Sequence, residues 1–181
     1  IVPRDFMLVL DVSGSMNDQD KIGQLRSAVA TFMSELAVST DLDRVGMVTY
    51  TNDITVQSGL TFDLGTVSSI AQGLTAGGWT NIGDALAAGR TEIINSPRAR
   101  AAPVAILMTD GIPNYPFGNG TTTDADKDYV IQVADMFAAM KVPVLAISFG
   151  DDADQTLMQQ VADHTKSVHY HASSTGSGAS L

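Results

Sequence analysis

Short apolar runs alternate along the chain with segments of helical period. Phe6-Met7-Leu8-Val9-Leu10 is apolar throughout and stops at Asp11, as a strand buried on both faces requires. Ile22, Leu25, Val29, Phe32, Met33 and Leu36 recur at helical spacing behind Asp18 and Asp20, the candidate caps. Val45–Tyr50 and Ile54–Gln57 read as two antiparallel strands around the turn Thr51-Asn52-Asp53. Helices near Asp63–Gly73 and Ile82–Asn95 flank the loop Gly77-Gly78-Trp79-Thr80-Asn81. Val104–Met108 is a second buried strand, ending at Thr109-Asp110-Gly111. An eleven-residue loop, Pro113–Thr123, then leads into a helix carrying Val130, Val133, Ala134 and Phe137. Val144–Phe149 is a third buried strand, followed by a helix over Asp154–Asp163 and a short strand, Val168–His171.

Strands alternating with helices predict an α/β fold. The expected form is a doubly wound, mostly parallel six-stranded sheet with one antiparallel edge strand and helices on both faces. In the order 3-2-1-4-5-6 the first and fourth strands are neighbours, and ligands settle in the crevice at their carboxyl ends. That rule sets Asp11 beside Asp110. Residues 1–171 read as one domain, and the Ser/Gly-rich residues 172–181 as a tail or linker.

Composition narrows the chemistry. The 181 residues are 44% hydrophobic and 17% charged, a globular balance. Ten basic against twenty acidic residues give a net charge of −10, which argues against nucleic acid or an anionic membrane as partner. All the acids but Glu35 and Glu92 are Asp, a residue of caps, turns and hard-cation sites. The absence of Cys removes disulfides, thiolate zinc sites and a Cys nucleophile. No apolar run approaches the roughly twenty residues of a membrane-spanning helix, and Ile1–Leu10 lacks the flanks of a signal peptide. An export signal or anchor is expected to lie outside these residues if the natural protein has one.

Asp11-Val12-Ser13-Gly14-Ser15 starts where the first strand stops, and its alternate residues can turn toward one point. Thr80, on a Gly-Gly loop, and Asp110, at the neighbouring strand end, bring the oxygen donors to five. Without His or Cys, such a set suits a hard, roughly octahedral cation, Mg²⁺ before Mn²⁺ or Ca²⁺. With few carboxylates on the ion, an open position would attract an outside carboxylate.

These three segments, in this order, resemble the metal-ion-dependent adhesion site of von Willebrand factor A domains, and the resemblance extends from about Arg4 to His171. It implies a Rossmann-like fold in which Ser13, Ser15 and Thr80 bind the ion directly, while Asp11 and Asp110 hold it mainly through water. It also implies a protein or polymer ligand that offers a carboxylate, with no catalytic residue. Arg4-Asp5 and Asp43-Arg44-Val45-Gly46 look most like bacterial members, among them secreted or membrane-tethered proteins of tight-adherence pilus assembly. An extracytoplasmic or cell-surface location follows from that likeness. Two features depart from the family: a Ser/Gly tail stands where many members have a closing helix, and Trp79 stands where many have a small residue. Trp79, Tyr115 and Phe117 are expected to form a rim that selects the ligand.

Other readings stay open at this stage. A Mg²⁺-assisted hydrolase could use Asp11 and Asp110 to position water, and some family members are intracellular scaffolds that partner an ATPase. No G-x-x-x-x-G-K-[ST], G-x-G-x-x-G or G-x-S-x-G motif is present. Ser13 and Ser15 could simply cap backbone groups, and Thr80 could cap a helix. Asp124-x-Asp126-x-Asp128 begins like an EF-hand loop, but Tyr129 stands where the required Gly should be, so a solvated helix start is expected. His164, His169 and His171 read as surface residues, and Met7, Met33, Met47, Met108, Met136 and Met140 as core.

Overall fold

A computed structural model describes residues 2–39 and 42–173; the expected tail beyond Ser173 lies outside the described residues. Six strands form one sheet: β1 (Arg4–Asp11), β2 (Arg44–Tyr50), β3 (Ile54–Thr61), β4 (Ala102–Thr109), β5 (Val144–Phe149) and β6 (His169–Ala172). Their order is β3-β2-β1-β4-β5-β6, with β3 the antiparallel strand at one edge and all other pairings parallel. Among the described residues, five α-helices accompany the sheet: α1 (Lys21–Ser39), α2 (Leu64–Gln72), α3 (Ile82–Asn95), α4 (Asp124–Ala139) and α5 (Gln155–His164). β6 runs through Ala172, the first residue of the segment expected to be a tail.

The apolar run of β1 explains why helices cover both faces. Side chains alternate across a strand, so Phe6, Leu8 and Leu10 enter one core with Leu25, Val29 and Met33 of α1 and Val67 of α2. Met7 and Val9 enter the other, with Leu86 of α3, Phe137 of α4 and Met158 of α5. A fully buried side chain of this size contributes about 1.5–3 kcal/mol, so an exposed face on β1 would be costly. Of the methionines, Met7, Met33, Met47 and Met108 are core, whereas Met136 is exposed on α4.

At the amino ends of the strands, the Arg4-Asp5 and Asp43-Arg44 pairs bind reciprocally. Arg4 Nη2 lies 2.9 Å from Asp43 Oδ2, and Arg44 reaches Asp5 through Nε at 3.0 Å and Nη2 at 2.8 Å. Arg98 adds a third contact to Asp5 at 2.6 Å. Asp5 and Asp43 are buried, so each needs its partner. This clamp holds β1 to β2 at the end opposite the strand-end crevice.

A candidate metal centre at the strand ends

The carboxyl ends of β1 and β4 lie side by side, with Leu10 opposite Met108. One step on, Thr109 Oγ1 donates to Asp11 Oδ2 at 2.6 Å, and Ser13 N donates to Asp11 Oδ1 at 2.8 Å. Both carboxylates of the crevice are buried. Burial raises the Asp11 pKa to about 6, and the nearby Asp110 charge adds to the rise, against hydrogen bonds from Ser13 and Thr109 that lower it.

The five sequence-predicted donors come together. Ser13 Oγ lies 3.3 Å from Ser15 Oγ, and Ser15 Oγ donates to Asp110 Oδ1 at 2.8 Å. Thr80 closes the ring through Gly111: a Cβ on Gly111 would fall 3.2 Å from Thr80 Oγ1 and 3.6 Å from Asp11 Oδ2. Glycine there keeps a cradle open between the two loops. Ser13 occupies the cap position of a 3-10 turn over Gly14–Asp20 but makes no side-chain capping bond. Thr80 is not a cap either, since Asn81 caps α3 through Asp84 N. The Ser13 and Ser15 hydroxyls therefore face each other and Asp110, and Thr80 Oγ1 borders the same space in front of Gly111 as Asp11 Oδ2.

The loops that carry these groups are fastened by their backbones. Gly14 N donates to Gly78 O at 2.9 Å and Gly77 N to Val12 O at 2.8 Å, which ties the Asp11–Ser15 loop to the Thr80 loop. Gly78 has φ +81°, the left-handed region where a Cβ is strained. Thr80 is held twice by Asn114: its N–H donates to Asn114 Oδ1 at 2.8 Å, and its carbonyl accepts from Asn114 N at 3.1 Å.

Two residues at the site escaped the sequence reading. Lys21, the first residue of α1, is buried and donates from Nζ to Asp110 Oδ2 at 2.8 Å. Tyr50 sits opposite Asp11 in the β1–β2 register; its buried hydroxyl lies beside Asp11 and Thr109 and, among the described residues, makes no hydrogen bond of full geometry. Burial, then the Asp11 charge, pushes the Tyr50 pKa well above its usual value. A Lys one turn after a D-x-S-x-S loop was the available signal for the first; the strand register reveals the second.

The expected rim residues fall into two separate ring contacts. Trp79 is 40% exposed, its ring centroid 5.7 Å from that of Tyr115, and a Cβ on Gly120 would touch it at 2.9 Å. Phe117 is more exposed and turns its ring toward Tyr129 of α4, centroids 5.9 Å apart. The Pro113–Thr123 loop is anchored by Asp126, which accepts from Phe117 N at 2.9 Å and Thr123 Oγ1 at 2.7 Å. The expectation of a solvated helix start thus holds for exposed Asp124 and Asp128 but fails at Asp126, which is buried as the loop's anchor. A groove of about 500 Å³ along β2, β3 and α2 reaches Val12 and Tyr50, but none of the five donors lines it.

An open, doubly wound α/β domain with an oxygen-only cluster at its topological switch point is the class these features define. The chain belongs to the von Willebrand factor type A domain family, whose model matches residues 5–180. Over 111 residues it is 34% identical to the calcium-activated chloride channel regulator 1 of Bos taurus, a match covering 59% of this chain and 12% of that protein. Among solved structures it resembles BatB from Bacteroides thetaiotaomicron, with TM-score 0.76 and 17% identity, covering 94% of this chain and 90% of that one. It also resembles the vWF domain of the type V pili tip protein Mfa5 from Porphyromonas gingivalis, with TM-score 0.72 and 15% identity over 96% and 90% of the two chains. The fold is the common property at such identities. This chain spans about an eighth of its curated relative's length.

Proposed function

We propose that Asp11, Ser13, Ser15, Thr80 and Asp110 hold a divalent cation, Mg²⁺ before Mn²⁺ or Ca²⁺, through which the domain binds a protein or polymer ligand. The carrying observation is that the Ser13 and Ser15 hydroxyls lie together against buried Asp110, while Thr80 Oγ1 and Asp11 Oδ2 border the same space in front of Gly111. Oxygen donors alone, in a cradle kept open by Gly111, fit a hard cation. When bound, such an ion supplies a positive centre for a ligand carboxylate. Trp79 and Tyr115 then offer a rigid, partly exposed aromatic pair beside the contact, a good interface anchor. Phe117 extends the rim along α4. The likeness to a pilus tip domain supports adhesion or assembly at a bacterial surface as the setting.

The test is calorimetry with Mg²⁺ and Mn²⁺ on wild type and Asp11→Ala, followed by acetate as a minimal carboxylate. Wild type should bind the metal, Asp11→Ala should not, and acetate should bind only after the metal. Equal metal affinity in the two proteins overturns the assignment.

A further inference from the structure

The site already holds one cation, Lys21. Its side chain is 4% exposed, and its ammonium lies against the same Asp110 carboxylate that accepts from Ser15. The stem runs beside Gly150, just past β5, where φ is +74° and a Cβ would come within 2.9 Å of Lys21 Cε. Among the described residues, one other carboxylate lies within ion-pair distance of Lys21: Asp152, at 3.9 Å and largely in solvent. Burying an ammonium costs several kcal/mol unless it is paired. Here the pairing partner is a member of the oxygen cluster.

We propose that Lys21 sets the charge of the site so that a divalent cation bound there is left in positive excess and is neutralised only by an anionic ligand. This rests on the metal reading above. Asp11 and Asp110 carry two negative charges, Lys21 one positive, and the three hydroxyls none. A divalent ion between two carboxylates alone would be balanced and would make no electrostatic demand for a further anion. With Lys21 present, the buried groups of the ion-loaded site carry one net positive charge, solvent screening Asp152, and a ligand carboxylate brings it to zero. The ammonium also repels the ion, so metal is held less tightly until the anion arrives. Metal and carboxylate binding thereby become coupled, each favouring the other. The overall charge of −10 repels an acidic partner at distance, which makes a local positive centre the more necessary at contact.

Two neutral variants separate charge from positioning. Lys21→Met keeps much of the stem's volume; Lys21→Gln keeps an N–H that can reach Asp110 but removes the charge. Mn²⁺ is titrated into each protein at fixed pH and ionic strength, then acetate into the Mn²⁺-loaded forms, with melting curves in chelator confirming a folded state. Both variants should bind Mn²⁺ at least about tenfold more tightly than wild type, and their loaded forms should bind acetate at least about tenfold more weakly. Wild-type affinities in Lys21→Gln make Lys21 a hydrogen-bonding positioner and overturn the proposal, as does weaker Mn²⁺ binding in folded forms of both variants. Absence of Mn²⁺ binding in all three proteins overturns the metal reading itself, a different result from either.

Discussion

Tyr50 places a buried hydroxyl beside Asp11 and Thr109, and among the described residues neither contact has full hydrogen-bond geometry. Such a group loses its water and recovers little, a cost of about 1–3 kcal/mol. Replacing it with Phe removes the unsatisfied oxygen and leaves a gap smaller than a methyl group. Tyr50→Phe should therefore be as stable as wild type in chelator, or more stable by up to about 1 kcal/mol, by urea unfolding. A clear loss of stability would show that the hydroxyl has a partner worth keeping. At this scale the legible residues were those whose chemistry and chain position coincide. Asp11, Ser13 and Ser15 follow one strand directly, Asp110 follows another, and Thr80 lies on a Gly-rich loop. Lys21 and Tyr50 reach the same point from a helix start and a neighbouring strand, so their relevance exists only in the folded register.

Element by element, α3 and β5 begin and end where their patterns do, because Asn81 caps one and a run apolar but for Ser148 defines the other. β3 runs four residues further than its alternation suggests. Ser58-Gly59 breaks the alternation, yet pairing with β2 carries the strand through a bulge to Thr61. The 3-10 turn before α1 was illegible, since Gln19 and Asp20 take positive φ that no residue type there demands. Of the β6 histidines, His171 is exposed as the surface reading has it, whereas His169 is half-buried. Ser148 Oγ lies 2.8 Å from His169 Nε2 and 3.0 Å from His171 Nδ1, tying the edge strand to β5, while His164 remains exposed beside Asp135. Burial, then the neighbouring His171, lowers the His169 pKa from its ordinary 6.5. The folded state thus prefers neutral His169. Its contribution is complete well above pH 6.5 and is lost as pH falls through 6.5 toward the lower folded value, because the unfolded chain takes up the proton first. Between pH 7.5 and 5.5, wild type should lose more stability than His169→Gln in denaturant titrations. Exchange of the Ala146 amide, which donates to Val168 O, should quicken over the same range. Equal pH slopes in the two proteins would remove the tie from the account.

Across the whole molecule, two devices act at opposite ends of one sheet. The Arg–Asp clamp closes the amino ends, and the carboxyl ends are left to loops whose carboxylates crowd together. On the proposed metal reading, that crowding predicts a stability sensitive to a cation. A ligand bound only by the folded state adds about 2.7 kcal/mol at a hundredfold excess over its dissociation constant. For a domain of this size, that corresponds to roughly 5–10 °C in melting temperature. A chain of net charge −10 also gains from any divalent salt that screens its self-repulsion, so a simple rise with Mg²⁺ does not isolate the site. The informative quantity is the difference between Mg²⁺ and chelator at matched ionic strength, compared between wild type and Asp11→Asn. The Asn keeps the size and one acceptor oxygen of Asp11 but not its charge. Screening is nearly equal in the two proteins, whereas occupation of the site is not. Wild type should show an increment of that order and Asp11→Asn only a small remainder. Equal increments in both would assign the effect to the surface charge and leave the strand-end oxygens without a thermodynamic role.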